Sequence, residues 1–403
     1  MGTASGIFKQ VKYKKEVTYG VVPVAASSQA IRRVTSSLDM TKDTYQSGEI
    51  RPDFQMADYR HGTRKVGGAI NGELSAGTYK DFMAAALKKV FAATAPITGA
   101  SITIGGVAGA WTFTRAAGSF LTDGVKVGDV IALTAGTFNV ANSNKNIMVT
   151  NVTALVLTGL VVNGTVLVTE GPITGATVTV RGKKSLVPQT AHTDESFSIE
   201  HWYPDVPTSE VFSGCKVSKL GFGLPPTGMA TCAVEFMGKD GLTSAAEYFT
   251  APTPVTATGV MAAVNGVLRV GGVTVANVTG LSIDVVSGQS GEPTVGSNTV
   301  AFQAAGRVLV TGQITATFDS TALRDAFYNE TEISLYAVFT ADNSALSDFV
   351  AFSMGRIKVG GAAKDDGEKT IIQTFPFQAL LNIAGGAALA TDLTTLAIQD
   401  SAA

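Results

Sequence analysis

At 403 residues the chain is too long for one ordinary hydrophobic core, and two to three domains are expected. Apolar residues make up 45% of it and charged residues only 15%, which excludes a disordered chain. A net charge of −2 argues against a sequence-specific nucleic-acid binder, which presents a basic face, but not against a protein past which nucleic acid slides.

Val, Thr, Ala and Gly dominate and long amphipathic helical stretches are nearly absent, so the expected class is all-β with one or two short helices. No basic segment followed by an apolar one opens the chain, and no apolar run approaches the roughly 18 residues of a spanning helix. Cys215 and Cys232 fit no metal spacing and read as free core thiols. The expectation is intracellular synthesis without a disulfide framework.

The first distinctive stretch is DMTKDTYQSGEIRPDFQMADYRHGTRK, between a strand ending near Asp39 and one starting near Val66. It reads as a loop of about 27 residues, and loops of that length in a compact domain usually have a task. Its mixed charges and interspersed aromatics suit a solvated loop, and equally a protein–protein contact. The contact candidates are Tyr45, Gln46, Glu49, Arg51, Asp53, Phe54, Gln55, Asp58, Tyr59 and Arg60. An alternating strand over Ala69–Leu74 follows. Ser75 or Thr78 is placed to cap a helix with Tyr79, Phe82, Met83, Ala86, Leu87 and Val90 on one face.

From about Ala95 to Lys184 the chain is nearly uncharged and rich in Val, Thr, Gly and Asn. Short strands (ITGASITI, AWTFTR, DVIALTAG, ATVTVRG) and turns at Gly128-Asp129 and Asn163-Gly164 predict a small β-barrel or sandwich inserted in a loop. Further on, APTPVTATG marks a linker. A hairpin turning at Asn265-Gly266 opens the last segment.

The tetrapeptide QSGE occurs at Gln46–Glu49 and again at Gln289–Glu292. Alone it is weak. Aligning Gly68 with Gly312 also brings Ile70 onto Ile314, Leu74 onto Phe318 and Asp81 onto Asp325, in each case a strand followed by a short helix. Asp319 would cap the second helix, with Leu323 and Phe327 inward. Downstream, FSGCKV resembles FSMGRIKV, and Gly228, Thr231 and Phe236 share their spacing with Gly367, Thr370 and Phe375. The reading is a tandem duplication: unit one at 1–94 and 190–252, an inserted β decoration domain at 95–189, and unit two at 253–403. Gln289 and Glu292 join the contact candidates as second-copy counterparts.

Chemistry is sparse. His61, His192 and His201 belong to no HExxH motif, nucleophile elbow or ligand cluster. GGVAGAW and GRIKVGGAAKDDGEK lack phosphate-loop spacing and read as turns. No catalytic, metal-binding or cofactor-binding residue is predicted, and no enzyme.

The runs VTSSLD, QSGEIRPDFQMADYRHG and VGGAINGELSAGTYKDFMAAAL, with FSGCKVSKLGFGL and GEKTIIQTFPFQAL later, resemble the major tail (tail tube) proteins of long-tailed, non-contractile bacteriophages, the siphophages. The resemblance covers most of both units. It implies a β-sandwich flanked by one helix, with strands of neighbouring subunits joined in an inner barrel. It implies stacked rings forming the conduit for genome delivery into the host, in a virion tail assembled in the host cytoplasm. The implied partners are self, a tape-measure protein, and terminator and distal tail proteins. Two tandem units would let three chains close a pseudo-hexameric ring around double-stranded DNA; a hexamer of whole chains is the alternative. A competing reading is a β-rich adhesin or carbohydrate-binding protein, with Trp111 and Phe113 as a sugar platform, although core packing is the favoured reading of that pair.

Overall fold

The computed structural model describes residues 3–163, 166–275, 277–365 and 368–403. Gly164 of the expected Asn163-Gly164 turn and Gly367 of the repeat lie outside the described residues.

The chain is almost entirely β. Its organising element is the long strand Thr208–Leu224. The first part of that strand pairs with Phe197–Tyr203 and Asp240–Ser244, the second with Thr231–Gly238 and Val278–Val286. The switch between neighbours falls at a bulge after Val217, and Gly214 sits just before it at φ 67°. A Cβ at Gly214 would stand 2.7 Å from that of Lys239, so the bend requires glycine on both counts.

This strand joins two sets of four into one antiparallel run of eight. The first set is Asp39–Gln46, Tyr59–Glu73, Thr231–Gly238 and Thr208–Leu224. The second is Val278–Val286, Leu309–Thr317, Ile372–Ala379 and the strand Phe349–Val359 continued by Ala363–Lys364. They meet in register from Lys219↔Val286 to Leu224↔Leu281. Period-two alternation puts Ile70, Val234, Leu220, Ile283, Ile314 and Phe375 on one buried face.

Against the first set packs helix α1, Lys80–Leu87, with Phe82 wedged among Tyr13, Phe197 and Phe236 at centroid distances of 4.6, 5.0 and 5.1 Å. The expected caps are not used: the Ser75 and Thr78 hydroxyls bond each other at 2.6 Å, and the helix starts after Tyr79 without a side-chain cap. It stops at Lys88, left-handed at φ 61°, so Val90 lies beyond it and half exposed. Helix α2, Ala322–Tyr328, begins after Thr321 rather than Asp319, with Leu323 and Phe327 packed against the core.

Two further expectations change. The hairpin Gly266–Val270 with Val273–Thr274 turns at Gly271-Gly272, both at positive φ, not at Asn265-Gly266. Phe236 stands opposite Gly68, whereas the residue opposite Gly312 is Phe377, two positions beyond the expected Phe375. A two-residue slip keeps every side chain on its own face, so alternation alone does not register it.

Between α1 and Lys183, six strands close into a barrel: Ile97–Val107, Ala110–Arg115, Val130–Ala135, Ile147–Val152, Val156–Val161 and Glu170–Val180. Trp111 and Phe113 point into its core at 6% and 0% exposure, so they form no sugar platform. The barrel leaves the chain beside the first set but docks on Phe349–Val359 of the second and on the strand paired with it, Ile333–Thr340. Val130, Met148, Leu160 and Val162 pack on Tyr336, Val338, Phe349 and Ala351. Lys126 donates to the carbonyls of Gly386 and Ala387 at 2.7 Å each, and Gln399 exchanges two hydrogen bonds with the Val130 backbone.

Candidate assembly interface

The charged stretch is not one long loop. Asp39–Gln46 and Tyr59–Glu73 run into it from both ends and pair down to Gln46↔Tyr59, leaving only residues 47–58 as the tip of a projecting hairpin. The outer part is exposed on both faces, so no alternation betrays it as a strand.

Tyr45 pairs with Arg60 on the arm. At the tip Arg51 holds Asp53 through a bidentate pair, Nε to Oδ1 at 3.1 Å and Nη2 to Oδ2 at 2.8 Å, and so keeps that carboxyl below its usual range. Asp53 Oδ1 also accepts from the Gln55 backbone, Ser47 Oγ accepts from the Glu49 N–H, and Arg60 binds Asp58 at 2.7 Å. These contacts shape the tip from within while Ile50 and Phe54 project fully into solvent. Phe54 does so with φ 58°, in the left-handed region that bulky residues seldom adopt.

Gln289 and Glu292 lie on a second, smaller arm, Ser290–Glu292 paired with Phe302–Ala304. This arm is seated. The Asn298 carbonyl accepts from the Arg64 N–H at 2.8 Å, just past the end of the Thr231–Gly238 strand. Gln303, itself buried, donates to the Met237 carbonyl at 3.0 Å, and its own carbonyl accepts from Lys216 at 3.2 Å. The structure thus brings Gln289 and Glu292 to the first set of strands, and does not bring them to the first arm. Sequence reasoning missed Asn298 and Gln303, which sit in a bland stretch, SGEPTVGSNTVAFQA.

Both ends of the eight-stranded run are open. Among the described residues Asp39–Gln46 pairs only with Tyr59–Glu73, and at the other end the open portion is Ala363–Lys364, paired only with Ile372–Ala379, since Phe349–Ile357 of the preceding strand is already paired with Ile333–Thr340. The face turned away from the core carries Asp39, Asp43, Glu73, Glu235 and Asp284 against Lys65, Lys219 and Lys358. Lys65 is neutralised by Asp43 at 2.9 Å and Lys219 by Asp284 at 3.2 Å, so the face is neutral to acidic.

The histidines are dispersed. His61 stacks edge-on against Tyr59 on the arm, and His192 is exposed. His201 is buried, its Nε2 2.7 Å from Ser36 Oγ, and burial holds it below its usual value despite Glu210. Among the described residues no group of three or more His, Cys, Asp or Glu is placed to hold a metal ion, and no helix is long and apolar enough to cross a membrane.

Open sheet edges, a projecting arm tipped by Ile50 and Phe54 and a neutral-to-acidic polar face define a structural β protein built to associate. The chain belongs to the phage tail tube protein family, whose model matches residues 9–379. It is therefore a structural component of the phage tail that assembles with itself into a tube. No curated protein sequence matches it.

Proposed function

We propose that the chain is a duplicated tube subunit, three copies of which close a pseudo-hexameric ring, and that stacked rings form the conduit for the genome of a siphophage. One observation carries this reading: the junction inside the chain is a template for the junction between chains. Within the chain Gly221 pairs with Asp284 across the two sets. Gly221 stands opposite Ala233 as Ala363 stands opposite Thr374, and Asp284 stands opposite Thr311 as Asp39 stands opposite Gly67. Ala363 and Asp39 are thus the counterparts of the internal pair, and each lies on an open edge. Pairing them between chains repeats the internal junction and leaves no edge.

Three runs of eight give about 24 strands. At ~4.8 Å spacing and ~40° tilt the backbone diameter is about 45–50 Å, leaving a bore of about 35–40 Å after side chains. The face turned from the core lines it, and its neutral-to-acidic character lets double-stranded DNA pass without the salt-dependent affinity that free lysines would create. On this reading 1–94 with 190–252 and 253–403 are the two units, and 95–189 decorates the outside. The projecting first arm contacts neighbouring subunits. A tape-measure protein fills the bore before DNA, terminator and distal tail proteins close its ends, and assembly takes place in the host cytoplasm. Such a protein performs no catalysis. Cryo-electron microscopy of the purified assembly tests the reading: three-fold rings with a continuous inner barrel are expected, and a six-fold ring with one whole chain per sixth would refute the trimer.

A further inference from the structure

The second arm, seated on the first set of strands, has a counterpart that is not seated. We infer that the tip of the first arm, residues 47–58, docks in a second copy of this chain on the end of the second set, around Val308, Gln378 and Lys358. The inference rests on the ring reading above and specifies its contacts.

The seat is derived from residues already in register. Lys216 pairs with Met237, and Lys358 pairs with Gln378. Arg64 stands three positions before Gly67, as Val308 stands three before Thr311, and these two strands pair with Met237 and Gln378 respectively. The triad Arg64, Met237 and Lys216, covered by Asn298 and Gln303, therefore has the counterpart Val308, Gln378 and Lys358.

The two seats differ in their cover. Lys216 is 5% exposed beneath the second arm, while the Lys358 side chain is 42% exposed, its nearest carboxylate Glu330 lying 3.7 Å away and itself in solvent. No segment of the same chain covers the second seat among the described residues. The first arm offers what it lacks. Phe54 and Tyr59 stand in its sequence where Asn298 and Gln303 stand in the second arm's, and Phe54 is a fully exposed aromatic. Lys216 is held by the Asp194 carboxylate at 2.6 Å and by the Gln303 carbonyl at 3.2 Å, and Asp58, beside Tyr59, supplies Lys358 with the carboxylate that Asp194 gives Lys216. The first arm projects from the open edge that would meet the neighbouring chain's second set, so it is carried to this seat and not to its own.

The test is a double variant, Tyr59→Cys with Gln378→Cys, assembled and then mildly oxidised. An interchain disulfide in assembled particles, absent from dilute unassembled chain, is expected. Particles that form but do not cross-link, or that cross-link within one chain, would overturn the docking while leaving the ring reading intact; wild-type chain that forms no ring or tube would instead remove the ring reading. A charge exchange gives a second measure. Lys358→Glu should raise the concentration needed for assembly about tenfold. Adding Asp58→Lys should restore it, and no recovery in the double exchange would count against the contact.

Discussion

Lys184 and Asp129 meet at 2.8 Å with almost no access to water, and Asp392 closes on the same ammonium at 2.9 Å. Asp129 belongs to the inserted barrel and Asp392 to the C-terminal segment, so one lysine fastens both. Burial alone would lower the Lys184 ammonium, but the two carboxylates outweigh it and raise it well above its ordinary value. Lys184→Met should therefore destabilise the chain by about 3–5 kcal/mol, because it strands a buried carboxylate. Urea unfolding of the unassembled protein checks this.

Asp400 gives a pH signature. Its carboxylate accepts from the Gly77 and Ala402 N–H groups, each as close as 2.8 Å, yet burial pushes it up to about 6. Its folded value is thus above the unfolded value of about 3.9, so the folded chain holds the proton more tightly. The stability from this group is fully present below about pH 4 and lost as pH rises through about 6, a change of about 3 kcal/mol. Urea unfolding across that window should show the decline in the wild type and a flatter profile in Asp400→Asn.

The strand junction proposed between chains has a defined register. Ala363→Cys with Asp39→Cys should form an interchain disulfide on assembly, because directly opposed strand residues have Cα separations within disulfide reach. Non-reducing electrophoresis of assembled particles reads it out. Moving the second cysteine to Thr41 should abolish the band.

Phe82→Ala removes the ring that Tyr13, Phe197 and Phe236 enclose, and should cost about 3–5 kcal/mol. A lower unfolding midpoint in urea with unchanged slope is the expected result.

The legible parts of the sequence were those where burial is one-sided. Ile70 and Ile314 alternate with more exposed neighbours, so their strands were visible. The barrel announced itself through short apolar strands and the turn glycine Gly128, at φ 92°. The outer half of the first arm did not, because Thr44, Tyr45 and Gln46 face solvent or its margin on both sides and carry no period. Helix caps were misplaced because Ser75 and Thr78 satisfy each other instead of the helix. The seat of Gln303 and the docking of Val130 and Met148 on Tyr336 and Phe349 rest on pairings far apart in the chain, which no local pattern encodes. Among the contact candidates, Tyr45 to Arg60 fall on one hairpin where a loop was expected, whereas Gln289 and Glu292 belong to a different one.

The docking of the barrel on the second set has a consequence for synthesis. The barrel's core, from Ile97 to Val180, contains Phe113, Ile131 and Leu157 and is complete once those residues have left the ribosome. Its docking partners, Tyr336, Phe349 and Gln399, emerge more than a hundred residues later. In the interval the apolar patch of Val130, Met148 and Leu160 is bare, and the nascent chain carries it beside unfinished sheet edges. Tyr336, Val338, Phe349 and Ala351 cover that patch, so a chain cut before Tyr336 would retain a folded barrel with a sticky flank.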